Sequence, residues 1–288
     1  MHFPYPTRKS SHPTPYAVRS SRSTLLRQRS PKQLAAIAIG AIVGLWLLLK
    51  LFLGGSGDGY VPPGTPGAVV VTVLEPGLSE SYKEAIKANR RDYASRHALR
   101  HAMTLYPHSP YLFYLTSTAL IMSPSLSLEK HVMNPSRLES LMIVDQPVVP
   151  PDSVIKTFSH LKGSRIDFVL TQDKEGLAGG SMIVRNGDWA KFFLDAWFDP
   201  LYRSYNFQKA EGHALEHIVQ WHGTILAKLA LIPQRILNSY TTGSTEGVYQ
   251  EGDFVANFHG CQRDPNRKCE EEMQPLLTRW RELVDRER

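Results

Sequence analysis

Two histidines, His213 and His217, stand four residues apart and are the first candidates for chemistry in this sequence. Residues at that spacing share one face of a helix, and a histidine pair there can bind zinc. Zinc proteases use the order His-Glu-x-x-His, whereas this chain has His-Ala-Leu-Glu-His and no obvious third ligand. We therefore interpret the pair as a solvated helix face and keep a zinc site as the alternative.

Three hydroxyl residues, Thr116, Ser117 and Thr118, interrupt the apolar run Leu112–Met122. The aromatic and aliphatic residues around them predict a buried β-strand. Taken alone, the hydroxyls indicate a strand that ends in hydrogen-bonding side chains.

Cys261 and Cys269 are the only cysteines in the chain, and both lie near its C-terminus. In a reducing compartment they would be two free thiols, and in an oxidising one they can close a short loop. The membrane segment described next places them in an oxidising lumen, which favours the disulfide.

A membrane anchor is predicted at Leu34–Leu53, ahead of the elements that must position these residues. The segment holds about 20 mostly apolar residues, the length that spans a bilayer core. Lys50 lies near its end, where the ammonium can reach the lipid interface. A cleaved signal peptide would start closer to the N-terminus, and a core helix would show a polar face. We expect one transmembrane helix in the lipid bilayer.

The charge next to this segment sets its orientation. Residues 1–33 form a tail of disordered composition, and its basic residues are Arg8, Lys9, Arg19, Arg22, Arg27, Arg29 and Lys32, with no acidic residue. Such tails stay cytoplasmic, so the C-terminus is expected in the lumen. The net charge of the whole chain is +6, which leaves the part after the tail nearly neutral. Nothing there indicates a nucleic-acid-binding surface.

A Gly/Pro-rich stem at residues 54–67 precedes a domain at residues 68–288. In that domain, apolar β-branched runs alternate with helical segments. The predicted strands are Ala68–Leu74, Leu112–Met122, Ile166–Leu170, Ser181–Val184 and Val255–Phe258, and the predicted helices are Ser79–Arg96, Trp189–Trp197 and Ala210–Leu231. The alternation predicts an α/β domain whose mostly parallel sheet is flanked by helices.

A set of short motifs runs in order through residues 68–275. It comprises Tyr-Pro at 106–107, Ala-Leu-Ile-Met at 119–122, Leu-Glu-Lys-His at 128–131, Thr-Gln-Asp-x-x-Gly-Leu at 171–177, Leu-Asp-Ala-Trp at 194–197, Asp-Pro-Leu-Tyr-Arg at 199–203, Ala-Glu-x-x-Ala-Leu-Glu-His at 210–217, Ile-Pro-Gln-Arg at 232–235, and Gly-Asp-Phe-Val through Gly-Cys at 252–261. The set resembles glycosyltransferase family 34, the galactosyl/mannosyltransferase family that includes α-1,6-mannosyltransferase subunits of the fungal Golgi mannan polymerase. The predicted anchor is the topology that this family uses.

The resemblance implies a GT-A-like fold, in which a Rossmann-type sheet binds a nucleotide-sugar donor. It implies transfer of mannose from GDP-mannose to protein-linked mannan, in an α-1,6 linkage and with retention of the anomeric configuration. It also implies a type II protein of the Golgi membrane that associates with other mannosyltransferase subunits.

The resemblance also implies roles for individual residues. Glu211 matches an acidic residue near the reacting sugar carbon, where a carboxylate can stabilise an oxocarbenium-like transition state. The alternative for Glu211 is an ordinary acidic residue in the first turn of a helix. Gln172 and Asp173 are expected to contact sugar hydroxyls. Gly180 and Ser181 are expected to let the backbone approach the donor, with an ordinary turn as the alternative.

The family holds a divalent metal, usually Mn²⁺, with an Asp-x-Asp after the aromatic strand, because carboxylates suit a hard cation. In this chain those positions are Thr116 and Thr118, which are neutral. A family histidine ligand falls on Asn257, which leaves His259 as a candidate metal ligand, with a solvent-facing or hydrogen-bonded histidine as the alternative. Metal affinity is expected to fall sharply.

A second departure lies between Arg96 and Ala98, where the family carries a longer segment that would supply a further strand and part of the donor pocket. These departures set two hypotheses against each other. The chain is an active mannosyltransferase, or it is a catalytically impaired pseudoenzyme or incomplete gene model that acts as a structural subunit of a mannosyltransferase complex. A third hypothesis, a non-enzymatic adhesion or receptor module, would predict a β-rich domain with more cysteines and turn signals, which the sequence lacks.

Overall fold

The computed structural model describes residues 39–45, 62–96, 108–149, 153–204, 211–243 and 247–287. Residues 39–45 are helical, and most of the predicted anchor, the tail and the stem lie outside the described residues. No helix among the described residues has the length and apolar character that a membrane crossing requires. The chain divides into two units, Met1–Tyr60 and Val61–Arg288, and the second contains all the elements below.

The second unit alternates strands and helices, as the sequence predicts. Its strands are β1 (Val69–Val71), β2 (Tyr111–Leu115), β3 (Ala119–Ile121), β4 (Phe168–Gln172), β5 (Leu177–Arg185), β6 (Leu229–Ile232), β7 (Ser239–Tyr240) and β8 (Val255–Asn257). Its helices are α1 (Glu80–Arg96), α2 (Pro135–Leu141), α3 (Asp188–Trp197), α4 (Pro200–Ser204), α5 (Glu211–Trp221), α6 (Gly223–Leu226), α7 (Gln234–Leu237) and α8 (Cys269–Glu287). The predicted α/β class is confirmed.

The larger sheet has the order β1-β2-β5-β4-β6 and is mixed rather than purely parallel. The pairs β1–β2 and β4–β6 are parallel, whereas β5 is antiparallel to both of its neighbours. The short connection at residues 173–176 explains the reversal, because so few residues can join only antiparallel neighbours. The predicted strand Ser181–Val184 is therefore part of a longer strand that runs against the others.

The run Leu112–Met122 forms two strands, and the prediction of a single strand was wrong. β2 joins the larger sheet, while β3 pairs with β8 in a second sheet of order β3-β8-β7. The hydroxyl residues 116–118 lie between them in a turn, where the Ala119 amide donates to the Thr116 carbonyl at 3.2 Å. The turn is the point at which the chain passes from one sheet to the other.

The predicted helix Ala210–Leu231 is wrong over its last residues. α5 ends at Trp221, α6 is a single short turn, and Leu229–Ile232 is a buried strand parallel to β4. A run of four apolar residues fits a buried strand and a buried helix equally well, so periodicity could not decide. The prediction for α3 was confirmed within one residue.

The predicted disulfide between Cys261 and Cys269 is present. It connects the loop after β8 to the first residue of α8, whose Trp280 and Leu277 are buried in a cluster that also contains Tyr82 of α1. The loop between the cysteines is consequently attached at both ends to packed elements.

Candidate functional site

A cleft with a volume of about 630 Å³ lies at the carboxyl end of β2. The β4–β5 connection, the turn after β2 and the loop after β8 surround it, and its polar lining includes Thr116, Thr118, Asp173, Glu175, Gly180, Glu216, Tyr240, Asn257, His259 and Arg263. The volume falls in the range of about 300–1,000 Å³ typical of small-molecule sites. The carboxyl ends of sheet strands are the usual place for ligands in α/β folds.

Neutral side chains line the part of the cleft next to β2. The hydroxyls of Thr116 and Thr118 are 3.2 Å apart, and the Thr118 hydroxyl donates to the side-chain amide oxygen Oδ1 of Asn257 at 3.2 Å. The Asn257 amide donates in turn to Asn238 at 2.8 Å. We call Thr116, Thr118 and Asn257, with Asn238 behind them, the neutral wall. Since these groups bond to one another, the wall is ordered without a bound ion.

Gly180 is required for this arrangement. Its carbonyl accepts a hydrogen bond from the Thr116 amide at 3.0 Å, and a Cβ at this position would overlap the Asn257 side-chain amide. The register between β4 and β5 shifts next to it, since Leu170 pairs with Met182 but Thr171 pairs with Ala178. This β-bulge brings the Gly180 backbone to the cleft. Ser181 is fully buried, and its hydroxyl has no hydrogen-bond partner among the described residues.

Asp173 begins the connection between β4 and β5 and lines the cleft. One carboxylate oxygen accepts a 2.6 Å hydrogen bond from the Tyr240 hydroxyl, and the other accepts from the amides of Glu175 and Gly176 at 2.8 and 3.1 Å. Burial, and then the nearby Asp173 charge, raise the pKa of Tyr240, so its hydroxyl stays protonated and donates. The Gln172 side-chain amide instead donates to the backbone carbonyls of Pro147 and Val148, at 2.8 and 3.0 Å. The structure therefore brings Asp173, but not Gln172, to the cleft.

Glu216 of α5 reaches the same connection. Its carboxylate accepts a hydrogen bond from the Leu177 amide at 3.2 Å and occupies the space next to Gly176, where φ is +145°. We call Asp173, Glu175 and Glu216 the acidic wall. Sequence reasoning missed Glu216, although it lies between the two histidines that drew attention to this helix.

Glu211 is the first residue of α5, and its side chain lies outside the described residues. His213 and His217 lie on the same helix, where the His217 ring contacts the rings of Tyr202 and Trp221 at centroid distances of 5.4 and 6.0 Å. Within the described ranges, no group of three His, Cys, Asp or Glu side chains is placed to hold a metal ion. The described residues therefore do not support a zinc site, and they do not test the role of Glu211.

His259 lines the cleft and stacks on Tyr240, with ring centroids 4.5 Å apart and planes 5° apart. Burial lowers the pKa of His259, so the ring is neutral at pH 7. At the two positions where the family has aspartates, the threonine hydroxyls bond to each other. Hard divalent cations prefer carboxylate and other strong oxygen ligands, and the neutral wall supplies none that is ionised. The residues present do not fit a Mn²⁺ site.

A buried cation, Arg90 of α1, lies behind the neutral wall. Its guanidinium donates to the carbonyls of Thr116 and Ala119 at 3.2 and 2.6 Å, to the Asn89 side chain at 2.6 Å and to the Thr72 hydroxyl at 3.2 Å. Burial lowers the pKa of Arg90 to about 9, which keeps the group protonated at neutral pH. All its partner oxygens belong to uncharged groups. Sequence reasoning missed Arg90. The available signal was its spacing of four and eight residues from Ile86 and Tyr82, which places it on the packed face of the helix.

Comparison with known proteins gives a consistent family. The family model described as the galactosyl transferase GMA12/MNN10 family matches residues 97–270. An uncharacterized alpha-1,2-galactosyltransferase of Schizosaccharomyces pombe is 35% identical over 165 residues, which are 57% of this chain and 50% of that protein. The probable alpha-1,6-mannosyltransferases MNN11 and MNN10 of Saccharomyces cerevisiae are each 30% identical, over 57% and 64% of this chain and 43% and 49% of their own lengths. The chain thus spans about half the length of these curated relatives.

A solved glycosyltransferase involved in the glycosylation of the major capsid of PBCV-1 also resembles this chain. Its TM-score is 0.48 and its sequence identity is 11%, over 73% of this chain and all of that one. We draw no conclusion about the site from so distant a likeness.

Proposed function

The chain belongs to the galactosyl transferase GMA12/MNN10 family, and on that premise we propose that it transfers a hexose from a nucleotide-diphosphate sugar to a glycan. The observation that carries the proposal is the position of the family-model match along the chain. Residues 97–270 include every residue that lines the cleft except Val71 and Val73 of the β1 region. The family resemblance and the ligand-sized cavity therefore fall on the same part of the chain.

The cleft residues suit the two ends of such a donor. Asp173, held by Tyr240 and two backbone amides, can accept hydrogen bonds from sugar hydroxyls. Gly180 exposes backbone at the cleft, which allows a close approach of the ligand. Glu211 begins the helix that supplies Glu216 to the acidic wall, and negative charge there would stabilise positive charge on the anomeric carbon. Because the residues do not fit Mn²⁺, we assign no step to a metal.

For the finer reaction we propose transfer of mannose from GDP-mannose to protein-linked mannan, in an α-1,6 linkage with retention. The names of the two relatives from Saccharomyces cerevisiae support this choice. The predicted anchor at Leu34–Leu53 supports a type II protein of the Golgi membrane, working with other mannosyltransferase subunits.

A second candidate is transfer of galactose from UDP-galactose. It is favoured by the 35% identity to a relative named as an alpha-1,2-galactosyltransferase. A third candidate is a noncatalytic subunit of a transferase complex, favoured by Thr116 and Thr118 in place of the expected aspartates.

The test is a transfer assay with the purified full-length chain, a mannose oligosaccharide and either GDP-mannose or UDP-galactose, in the presence and absence of MnCl₂. Product mass identifies the hexose, and NMR of the product identifies the linkage and anomeric configuration. Asp173→Asn should reduce turnover, while Asp195→Asn, an exposed aspartate of α3 outside the cleft, should leave it unchanged. Nucleotide binding without turnover of either donor would favour the noncatalytic subunit.

A further inference from the structure

The electrostatics of the Thr116–Thr118 turn differ from those of a metal site, because a cation lies behind the turn and uncharged hydroxyls face the cleft. On the inner side, Arg90 contacts the Thr116 carbonyl, and its partners among the residues that the structure describes are all uncharged. On the cleft side, the threonines contribute hydroxyls and no charge. A pair of aspartates would place two negative charges in front of Arg90 and would demand a cation, whereas the two threonines place no charge there. A phosphate oxygen can therefore approach the turn directly.

A second cation, Arg263, lines the cleft in the loop after β8. It is exposed, and its guanidinium has no hydrogen-bond or ion-pair partner within the part of the chain that the structure describes. The next residue toward β8, Gln262, donates to the Ser117 hydroxyl at 3.3 Å and to the Glu75 carboxylate at 3.1 Å. The loop that carries Arg263 is thus in contact with the Thr116–Thr118 turn.

The loop is also held in place. The Cys261–Cys269 disulfide closes it. Arg267, within the loop, donates to the His259 carbonyl at 2.8 Å and makes a two-point contact with Glu272 of α8, at 2.9 and 2.6 Å. Since the backbone on both sides of Arg263 is held, a ligand in the cleft has to order only the Arg263 side chain and not the loop, which lowers the entropy cost of binding.

From these contacts we propose that the cleft binds the diphosphate of its ligand without a divalent cation, with Arg263 as the phosphate-binding residue beside the Thr116 and Thr118 hydroxyls. Arginine presents a fork of donors that matches phosphate oxygens. Thr118 already donates to Asn257, so the Thr116 hydroxyl is the one that can add a donor, by exchanging its bond to Thr118 for one to the phosphate. The inference rests on the proposed function, because a nucleotide-diphosphate sugar is the ligand that would present a diphosphate.

The carboxylates of the acidic wall do not replace the missing metal ligands. Asp173 already accepts three hydrogen bonds from the protein, and Glu216 accepts one from the Leu177 amide. These groups belong to the β4–β5 connection and α5, whereas Arg90 lies behind the turn after β2 and Arg263 follows Gln262, which contacts that turn. The cleft therefore has an acidic wall suited to hydroxyls and a neutral wall flanked by cations that suits phosphate.

The test is isothermal titration calorimetry of the full-length chain with GDP and with UDP, each in excess EDTA and in excess MnCl₂. The affinity for the preferred nucleotide should be the same in both solutions within about twofold. Arg263→Ala should weaken it about tenfold or more, because a hydrogen bond to a charged group is lost. The matched control Arg281→Ala, an exposed arginine of α8 outside the cleft, should bind like the parent chain.

Thr116→Asp combined with Thr118→Asp is the reciprocal variant. It should bind weakly in EDTA, since two carboxylates repel the diphosphate, and should regain affinity in MnCl₂. Nucleotide binding by the parent chain only in MnCl₂, or equal binding by the Arg263→Ala and Arg281→Ala variants, would overturn the inference and leave the proposed function standing. No binding of either nucleotide in either solution would overturn both.

Discussion

The neutral wall and the acidic wall meet in one cleft but are stabilised by different means. Thr118, Asn257 and Asn238 are almost completely buried, and they bond mainly to one another and to side chains or carbonyls of other strands. The carboxylates of the acidic wall are less buried, and they accept from the nearby Glu175 and Gly176 amides, from the Leu177 amide and from the Tyr240 hydroxyl. A wall of buried polar groups should respond strongly to substitution, and a wall of partly exposed carboxylates should respond weakly, because water can replace a lost partner.

The largest effect is expected from Arg90, which supports the neutral wall from behind. Arg90→Leu leaves the buried Ala119 carbonyl without its 2.6 Å partner and should reduce the free energy of unfolding by about 3 kcal/mol. Arg91→Leu, an exposed neighbour on the same helix, is the matched control and should change it by less than about 0.5 kcal/mol. Urea unfolding of both variants checks this, and equal midpoints would contradict the assigned role of Arg90.

Two adjacent glycines sharpen the comparison within β5. Gly180→Ala forces a Cβ against the Asn257 amide, and overpacking of this kind should destabilise the protein by about 2 kcal/mol. Gly179→Ala meets no atom within 4 Å, so it should be neutral or slightly stabilising. Thermal melting of the two variants provides the measurement. Similar melting temperatures would mean that Asn257 is free to move away.

Asp173 tests the acidic wall. Asp173→Asn keeps the size of the side chain but weakens the bonds from Tyr240 and two amides, so the stability loss should be only about 1 kcal/mol. If the proposed function holds, turnover should fall far more than stability does. A stability loss larger than that of Gly180→Ala would reverse the ranking of the two walls.

His259, stacked on Tyr240 at the junction of the walls, gives the smallest effect. Burial holds its folded pKa below the ordinary value of 6.5, so below that pH the unfolded chain binds more protons than the folded chain. The free energy of unfolding should therefore decrease as the pH falls through 6.5 and below. His259→Asn should flatten this dependence, and His160→Asn, an exposed histidine, should not. Denaturant unfolding at several pH values makes the comparison.

The sequence allowed the elements with strong local patterns to be predicted. The local pattern of α3 was sufficient, and the expected lumenal location of Cys261 and Cys269 favoured their bond. The division of Leu112–Met122 into two strands was not predictable, because both halves are equally apolar and only the pairing of β3 with β8 separates them. The membrane anchor, the Golgi location and the role of Glu211 remain predictions.

The site was predicted only in part, because local motifs are visible in a sequence and contacts between distant strands are not. Asp173 and Gly180 lie in a recognisable motif, and the structure places both at the cleft. Arg263 and Glu216 were missed, since their importance depends on which distant strands they face. A useful signal was present for Arg263, a cation beside a Gly-Cys pair, but a single arginine in an exposed loop is common.

The disulfide between Cys261 and Cys269 has a consequence for the conditions under which the cleft can form. The bond closes the loop that carries Arg263 and leads directly into α8. In a thiol-rich solution the loop would gain conformational freedom, and the guanidinium would sample positions away from the strand ends. The redox state of the surrounding compartment would then govern how tightly this protein binds an anion.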